Sequence, residues 1–86
     1  MTASEALVLI RGYASAGRIT LTLHARERMI ERGITFHDVR AGLAGAPGCS
    51  WQPERGSWRV DTFDRSSAAL VVIVVLAGEE IVVTVF

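Results

Sequence analysis

Apolar residues recur at helical spacing through the first half of the chain, then give way to alternating and continuous apolar runs in the second half. Leu7, Ile10 and Ala14 share one helical face, with Val8 beside them, behind Thr2-Ala3-Ser4-Glu5. A hydroxyl followed three residues later by a glutamate has the form of a capping box, so the pattern predicts a helix from Thr2 to about Ala16, stopped by Gly17. Ile19-Thr20-Leu21-Thr22-Leu23 alternates and is rich in β-branched residues, which predicts a short strand. Thr22 or Leu23 then leads into a second helix from His24, with Ala25 and Met29 as its apolar edge and Gly33 as its end. Thr35-Phe36-His37-Asp38 is another capping box, with Asp38 in the place usual for Glu. It starts a short helix to about Leu43, whose inner face is expected to be Phe36, Val39 and Leu43. Gly45, Pro47 and Gly48 break that pattern.

Cys49–Gln52 and Trp58–Phe63 flank Pro53-Glu54-Arg55-Gly56-Ser57, a stretch suited to a hairpin turn. Trp58 and Val60 alternate with Arg59 and Asp61, so the charged pair faces away from the apolar pair, toward the exposed or concave side. Trp51 and Trp58 are expected to pair across the sheet or to cover its edge. Ser67–Leu76 is apolar on both faces, as in a strand covered on both sides in mid-sheet. Gly78-Glu79-Glu80 turns the chain into Ile81–Phe86, where Thr84 is a lone polar residue among valines. The expected fold is one α+β domain over residues 1–86, with N-terminal helices packed on one antiparallel sheet of four to five strands.

Nine basic and nine acidic residues cancel, which excludes binding of nucleic acid by charge excess alone and leaves room for a local basic patch. The single Cys49 rules out an internal disulfide and suits a reducing cytosol, where it reads as a small strand residue. Glu5 and Arg11 interrupt the first apolar run without a cleavage-like site, and Ala68–Ala77 is only half a bilayer span long. A soluble, cytoplasmic protein with no membrane partner is expected. Asp61 and Asp64 have no partners at metal-ligand spacing, and two histidines plus one cysteine make no zinc pattern. No metal or other cofactor is expected.

The residues that bear chemistry are His24, Arg28 and Arg32, at i, i+4 and i+8 of the second helix. An imidazole moves protons near neutral pH and guanidiniums hold anionic oxygens, which are the parts needed to bind and cleave a phosphodiester. Plainer roles stand beside these. His24 can hydrogen-bond nearby backbone, Arg28 can pair with Glu31, and Arg32 can pair with Glu27 or Glu31 or favour the helix C-terminus. His37, inside a capping box, reads as a surface residue.

The segment Ile19–Val39 resembles a family of small bacterial domains marked by a strand, then H-A-x-x-R-M-x-x-R-G-I and a following D-V. Here the motif is His24-Ala25, Arg28-Met29, Arg32-Gly33-Ile34 and Asp38-Val39. The apolar close Ile81–Phe86 matches in kind. That family is similar to RelE-like and BrnT-like toxins of the barnase–EndoU–colicin–RelE fold group. The resemblance implies a RelE-like domain acting as a metal-independent endoribonuclease, the toxin of a type II pair neutralised by a cognate antitoxin. By motif position His24 and Arg28 carry over as catalytic residues. Arg59 and Thr84 carry over by element, and Arg26, Arg32 and Trp58 are the further RNA-binding candidates. The neutral charge departs from the basic surfaces usual in RelE-like toxins, and only one histidine falls in the motif. The rival expectation is a non-catalytic domain of the same fold that pairs with a partner protein, or self-associates through Ile81–Phe86 at a sheet edge.

Overall fold

In a computed structural model describing residues 1–86, the element order is α1 (Ala3–Ser15), β1 (Ile19–Leu21), α2 (Leu23–Arg32), α3 (Phe36–Ala44), β2 (Ser50–Gln52), β3 (Ser57–Phe63), β4 (Ala69–Ala77) and β5 (Glu80–Val85). Both capping boxes form. The Thr2 hydroxyl accepts from Glu5 N–H at 3.2 Å while the Glu5 carboxylate accepts from Thr2 N–H at 2.9 Å. Thr35 and Asp38 exchange the same bonds at 3.1 and 2.8 Å. Thr22 caps α2 alone, accepting from Ala25 N–H at 3.0 Å, because the third helical residue is an alanine with nothing to return. Gly33 ends α2 in the left-handed conformation at φ 66°, which a side chain would oppose.

The sheet runs β1-β5-β4-β3-β2. The α+β class is as the hydrophobic pattern predicts, but the sheet is mixed: β1 lies parallel to β5, while the other three pairs are antiparallel. The long stretch of helix and hairpin between β1 and β5 is what lets them run the same way. β5 is therefore not an edge. It lies between β1 and β4, and β1 covers it from Ile81 to Val83. The true edges, β1 and β2, are three residues each, which leaves little backbone for another chain to pair with. Self-association through an edge-lying Ile81–Phe86 loses its geometric basis.

Period-two alternation sends Trp58, Val60 and Thr62 of β3, Leu70, Val72 and Val74 of β4, and Ile81, Val83 and Val85 of β5 toward the helices, and all are buried. Ala6, Ile10 and Ala14 of α1, Ala25 and Met29 of α2, and Val39 and Leu43 of α3 close the core over them. Gly42 lets α3 approach β3. A Cβ there would lie 2.9 Å from the Phe63 carbonyl oxygen, and the Thr62 hydroxyl donates to the Gly42 carbonyl at 2.8 Å. Two arginines tie the helices down through backbone carbonyls. Arg40 donates to Ala14 O and Ser15 O at the end of α1, and Arg11 donates to Ala46 O.

Two expectations change. Phe36 has the phase of the inner face but is 38% exposed, because the first residue of α3 has no preceding turn to pack beside. β4 is central as expected, yet the helices cover only one of its faces, and Val75 on the other is exposed. No helix is long and apolar enough to cross a membrane.

Candidate functional site

The helix-free face of the sheet carries the strand candidates in one row. Register pairs Arg59 with Ile73 and Ile73 with Thr84, so the three lie side by side across β3, β4 and β5. Two strand spacings put the backbones of Arg59 and Thr84 about 10 Å apart. Thr84 meets α2 directly: its Oγ1 is 3.1 Å from Oγ1 of Thr22, the helix cap, and Thr22 N–H donates to Val83 O at 3.0 Å. The helix that begins there places His24 two residues on and Arg28 one turn further. Thr22 is the neighbour of Thr84 that no local spacing in the sequence marks, since only the parallel register brings the two together.

His24 is exposed, and its imidazole makes no hydrogen bond, so the plainer alternative of a bond to nearby backbone is not realised. Arg28 is 3.6 Å from Glu31, the plain pairing open to it at i+3. Arg32 and Arg26 are exposed without ion pairs. Arg26 falls on the far side of α2 from the His24–Arg28–Arg32 stripe by helical phase. Arg59 is already engaged. Its Nε and Nη2 fork onto the two carboxylate oxygens of Asp61, each at 3.1 Å. The hydrogen bonds first, and the charge of Asp61 second, push the Arg59 pKa above its ordinary value. An incoming anion must share or displace that carboxylate.

Trp58 stands apart from the row. It is 6% exposed, points to the helices with Val60, and packs against Trp51 with ring centroids 5.0 Å apart and planes at 55°. The expected cross-strand pair forms, and at 6% exposure Trp58 offers little surface to a base. The half-exposed ring is Trp51, on the edge strand, beside a hollow of about 460 Å³ lined by Met1, Trp51, Gly56, Trp58, Val75 and Leu76. A smaller hollow of about 340 Å³ reaches the row from the side, between Pro47–Ser50 and the Arg59–Asp61 pair. Cys49 opens onto it, but burial pushes its thiol pKa up and Sγ donates to Ala3 O, so it is a poor nucleophile.

The row continues past Thr84. Phe86 N–H donates to Val71 O at 3.1 Å, which extends the ladder by one residue and puts Phe86 on the same face as Thr84. Phe86 is thus the diagonal neighbour of Ile73, which is only 8% exposed although no helix covers that face. The Arg55 guanidinium, from the β2–β3 turn, sits over the Phe86 ring at 5.9 Å from its centroid. All nine basic residues are arginines. Arg18, Arg28 and Arg59 pair with acids, Arg11 and Arg40 with carbonyls, and Arg26, Arg32, Arg55 and Arg65 keep unbonded side chains. Of these four, Arg55 is the one held over an aromatic ring.

No three histidine, cysteine, aspartate or glutamate side chains gather within reach of one cation. The candidates fall in two groups, His24 and Arg28 on α2 and Arg59 with Thr84 on the helix-free face, which meet through the Thr22–Thr84 hydroxyl pair; no side-chain hydrogen bond or ion pair joins His24 or Arg28 to Arg59 or Thr84. No protein-family model matches the chain and no curated protein matches it.

Proposed function

We propose that the domain is a metal-independent endoribonuclease of RelE-like build, acting on RNA in the cytoplasm as the toxin of a type II toxin–antitoxin pair. The observation that carries this reading is the Thr22–Thr84 hydrogen bond, which sets the start of the helix bearing His24 and Arg28 against the strand row bearing Arg59. RNA brings its own nucleophile. The 2′-oxygen attacks phosphorus, the P–O5′ bond breaks, and a 2′,3′-cyclic phosphate and a free 5′-hydroxyl result. One proton leaves the 2′-hydroxyl and one reaches the 5′-oxygen. His24, unbonded in the free protein, serves one of these transfers and water serves the other; a well-placed general acid or base contributes about 10²–10⁴-fold. Arg28 and Arg59 hold the charge that builds on the phosphoryl oxygens, the term that is usually largest. Thr84 orients the substrate or a water.

A second reading has its own support. The Arg59 fork onto Asp61 and the formal net charge of zero favour a non-catalytic binding domain that kept the fold and engages a partner protein. Induced expression of wild type and His24→Ala in bacteria, with growth and total RNA followed together, separates the two. His24 is exposed and unbonded, so the variant is expected to fold. Arrest with RNA cleavage in wild type, lost in the variant, is the outcome expected of the nuclease. Intact RNA from abundant wild-type protein, or equal cleavage by the variant, removes the assignment.

A further inference from the structure

We infer that the outer stripe of α2, formed by Leu23, Arg26, Glu27 and Ile30, is a docking surface for a second copy of this chain, the two helices lying side by side and parallel about a two-fold axis. The inference goes beyond the RNA-cleaving reading and stands without it. Ile30 and Leu23, 83% and 73% exposed, are the two most exposed large apolar side chains in the molecule. Both are on α2, seven residues apart, so at about 100° per residue they point within about 20° of one another. The core side of the helix, Ala25 and Met29, lies about 130° from the middle of that stripe, so neither Leu23 nor Ile30 packs α2 on the sheet. Two apolar residues at heptad spacing on the outer face of a helix have the form of a helix–helix seam.

The charges beside the seam identify its occupant. Arg26 lies about 50° to one side of the middle and Glu27 about 50° to the other. Both are exposed, and neither has an ion pair within the chain. A two-fold axis running along the seam carries each flank across to the opposite one. Arg26 of each copy then faces Glu27 of the other, while Leu23 meets Leu23 and Ile30 meets Ile30. One surface thus supplies both halves of its own complement. An antiparallel pair does not, because its two-fold axis crosses the helices and sets Arg26 against Arg26 and Glu27 against Glu27. The formal net charge of zero leaves no long-range repulsion between copies. His24 and Arg28 fall about 110° and 150° from the seam, outside the helix contact. A seam on one ten-residue helix is small, which places the pair among transient rather than permanent interfaces.

The test is sedimentation equilibrium of the full chain from about 1 μM to 1 mM, the range of transient affinities. Wild type is expected to pass from monomer to dimer within that range. Ile30→Glu is expected to stay monomeric throughout. Ile30 faces water in the single chain, so the thermal midpoint of the variant at low concentration is expected to match wild type. Arg26→Glu and Glu27→Arg each turn both cross-pairs into like charges and are expected to weaken the dimer several-fold. Combining the two changes exchanges the charges and is expected to restore it. Wild type that remains a monomer to the top of the range overturns the inference. So does Ile30→Glu that dimerises like wild type, which would put the contact elsewhere. Single charge variants that dimerise as wild type does would overturn the parallel pairing, and with it the assignment of this stripe to a second copy. None of these outcomes depends on whether RNA is cleaved.

Discussion

Thr84 Oγ1 lies 3.1 Å from Thr22 Oγ1, and this one contact joins the end of β5 to the cap of the helix that bears His24. Thr22 already accepts from Ala25 N–H, so one proton bridges the two oxygens and the other hydroxyl proton is left to point outward. A side chain that caps a helix and one that braces the cap have different energetic signatures.

Thr22→Ala removes the cap and is expected to cost about 1 kcal/mol, within the usual range for caps. Thr84→Val keeps the cap and the β-branched shape suited to a strand, and it is expected to cost less, about 0.5 kcal/mol. The double variant is expected to cost less than the sum, because each single change already breaks the shared bond. Urea unfolding of the four proteins measures this. Strict additivity would show that the two hydroxyls do not act as a pair.

Two glycines in helices are expected to respond in opposite directions to alanine. Gly12 on α1 has open space where a Cβ would sit, and alanine favours the helix, so Gly12→Ala is expected to stabilise by about 0.5–1 kcal/mol. At Gly42 the Cβ would meet backbone at 2.9 Å and the Thr62 methyl at 3.2 Å. Gly42→Ala forces α3 away from β3 and is expected to destabilise by about 1–3 kcal/mol. Thermal midpoints of the two variants moving the same way would contradict this account of the α3–β3 contact.

The contrast shows what local pattern reveals. The capping boxes at Thr2–Glu5 and Thr35–Asp38, the stop at Gly33 and the alternation through Trp58–Phe63 are written in spacings of two, three and four residues. Each is legible without knowing what packs on it. The parallel β1–β5 pair joins residues some sixty positions apart, and no local signal marks it. Thr84 could be singled out as the polar residue in an apolar strand, but its partner Thr22 follows only from that register. Arg59 and Asp61 could be put on one face, while the closing of the fork between them is a matter of rotamers. Arg55 lay in a turn, where periodicity carries no direction, so its place over Phe86 was invisible.

Asp38 predicts the acid behaviour of the fold. Its carboxylate accepts from Thr35 N–H and hydroxyl and from Arg65 N–H, so it holds both the start of α3 and the β3–β4 connection. Those bonds, the Thr35 backbone N–H foremost, lower its pKa below the ordinary 3.8. A carboxylate depressed on folding stabilises above its unfolded pKa, and the contribution is lost as pH falls through the folded value. Asp64, lowered by its Ser66 and Ala68 bonds, and Glu5, lowered by Thr2, act in the same direction. The thermal midpoint is therefore expected to decline below about pH 4. Asp38→Asn is expected to be less stable than wild type at neutral pH, with the gap narrowing on acidification. A gap that stays constant down to pH 2 would show that the charge of Asp38 is not what matters.

Asp61 decides whether Arg59 can serve an anion. Its two oxygens take both guanidinium donors that face along the strand, and the pair is exposed, so solvent screens the attraction and little folding stability depends on it. Asp61→Thr keeps strand propensity and frees the fork. It also changes the formal net charge from zero to plus one, since nine basic residues then face eight acidic ones. If Arg59 meets a phosphate, the variant is expected to bind an uncleavable single strand several-fold more tightly. The plot of log affinity against log salt is expected to steepen by about 0.7, the release expected for one more phosphate neutralised on a single strand. Charge anywhere on the surface gives a small gain in affinity, so the decisive comparison is Asp61→Thr with and without Arg59→Gln. Loss of the gain in the double variant assigns the phosphate contact to Arg59. Persistence of the gain would mean that the row across β3, β4 and β5 is not where RNA binds.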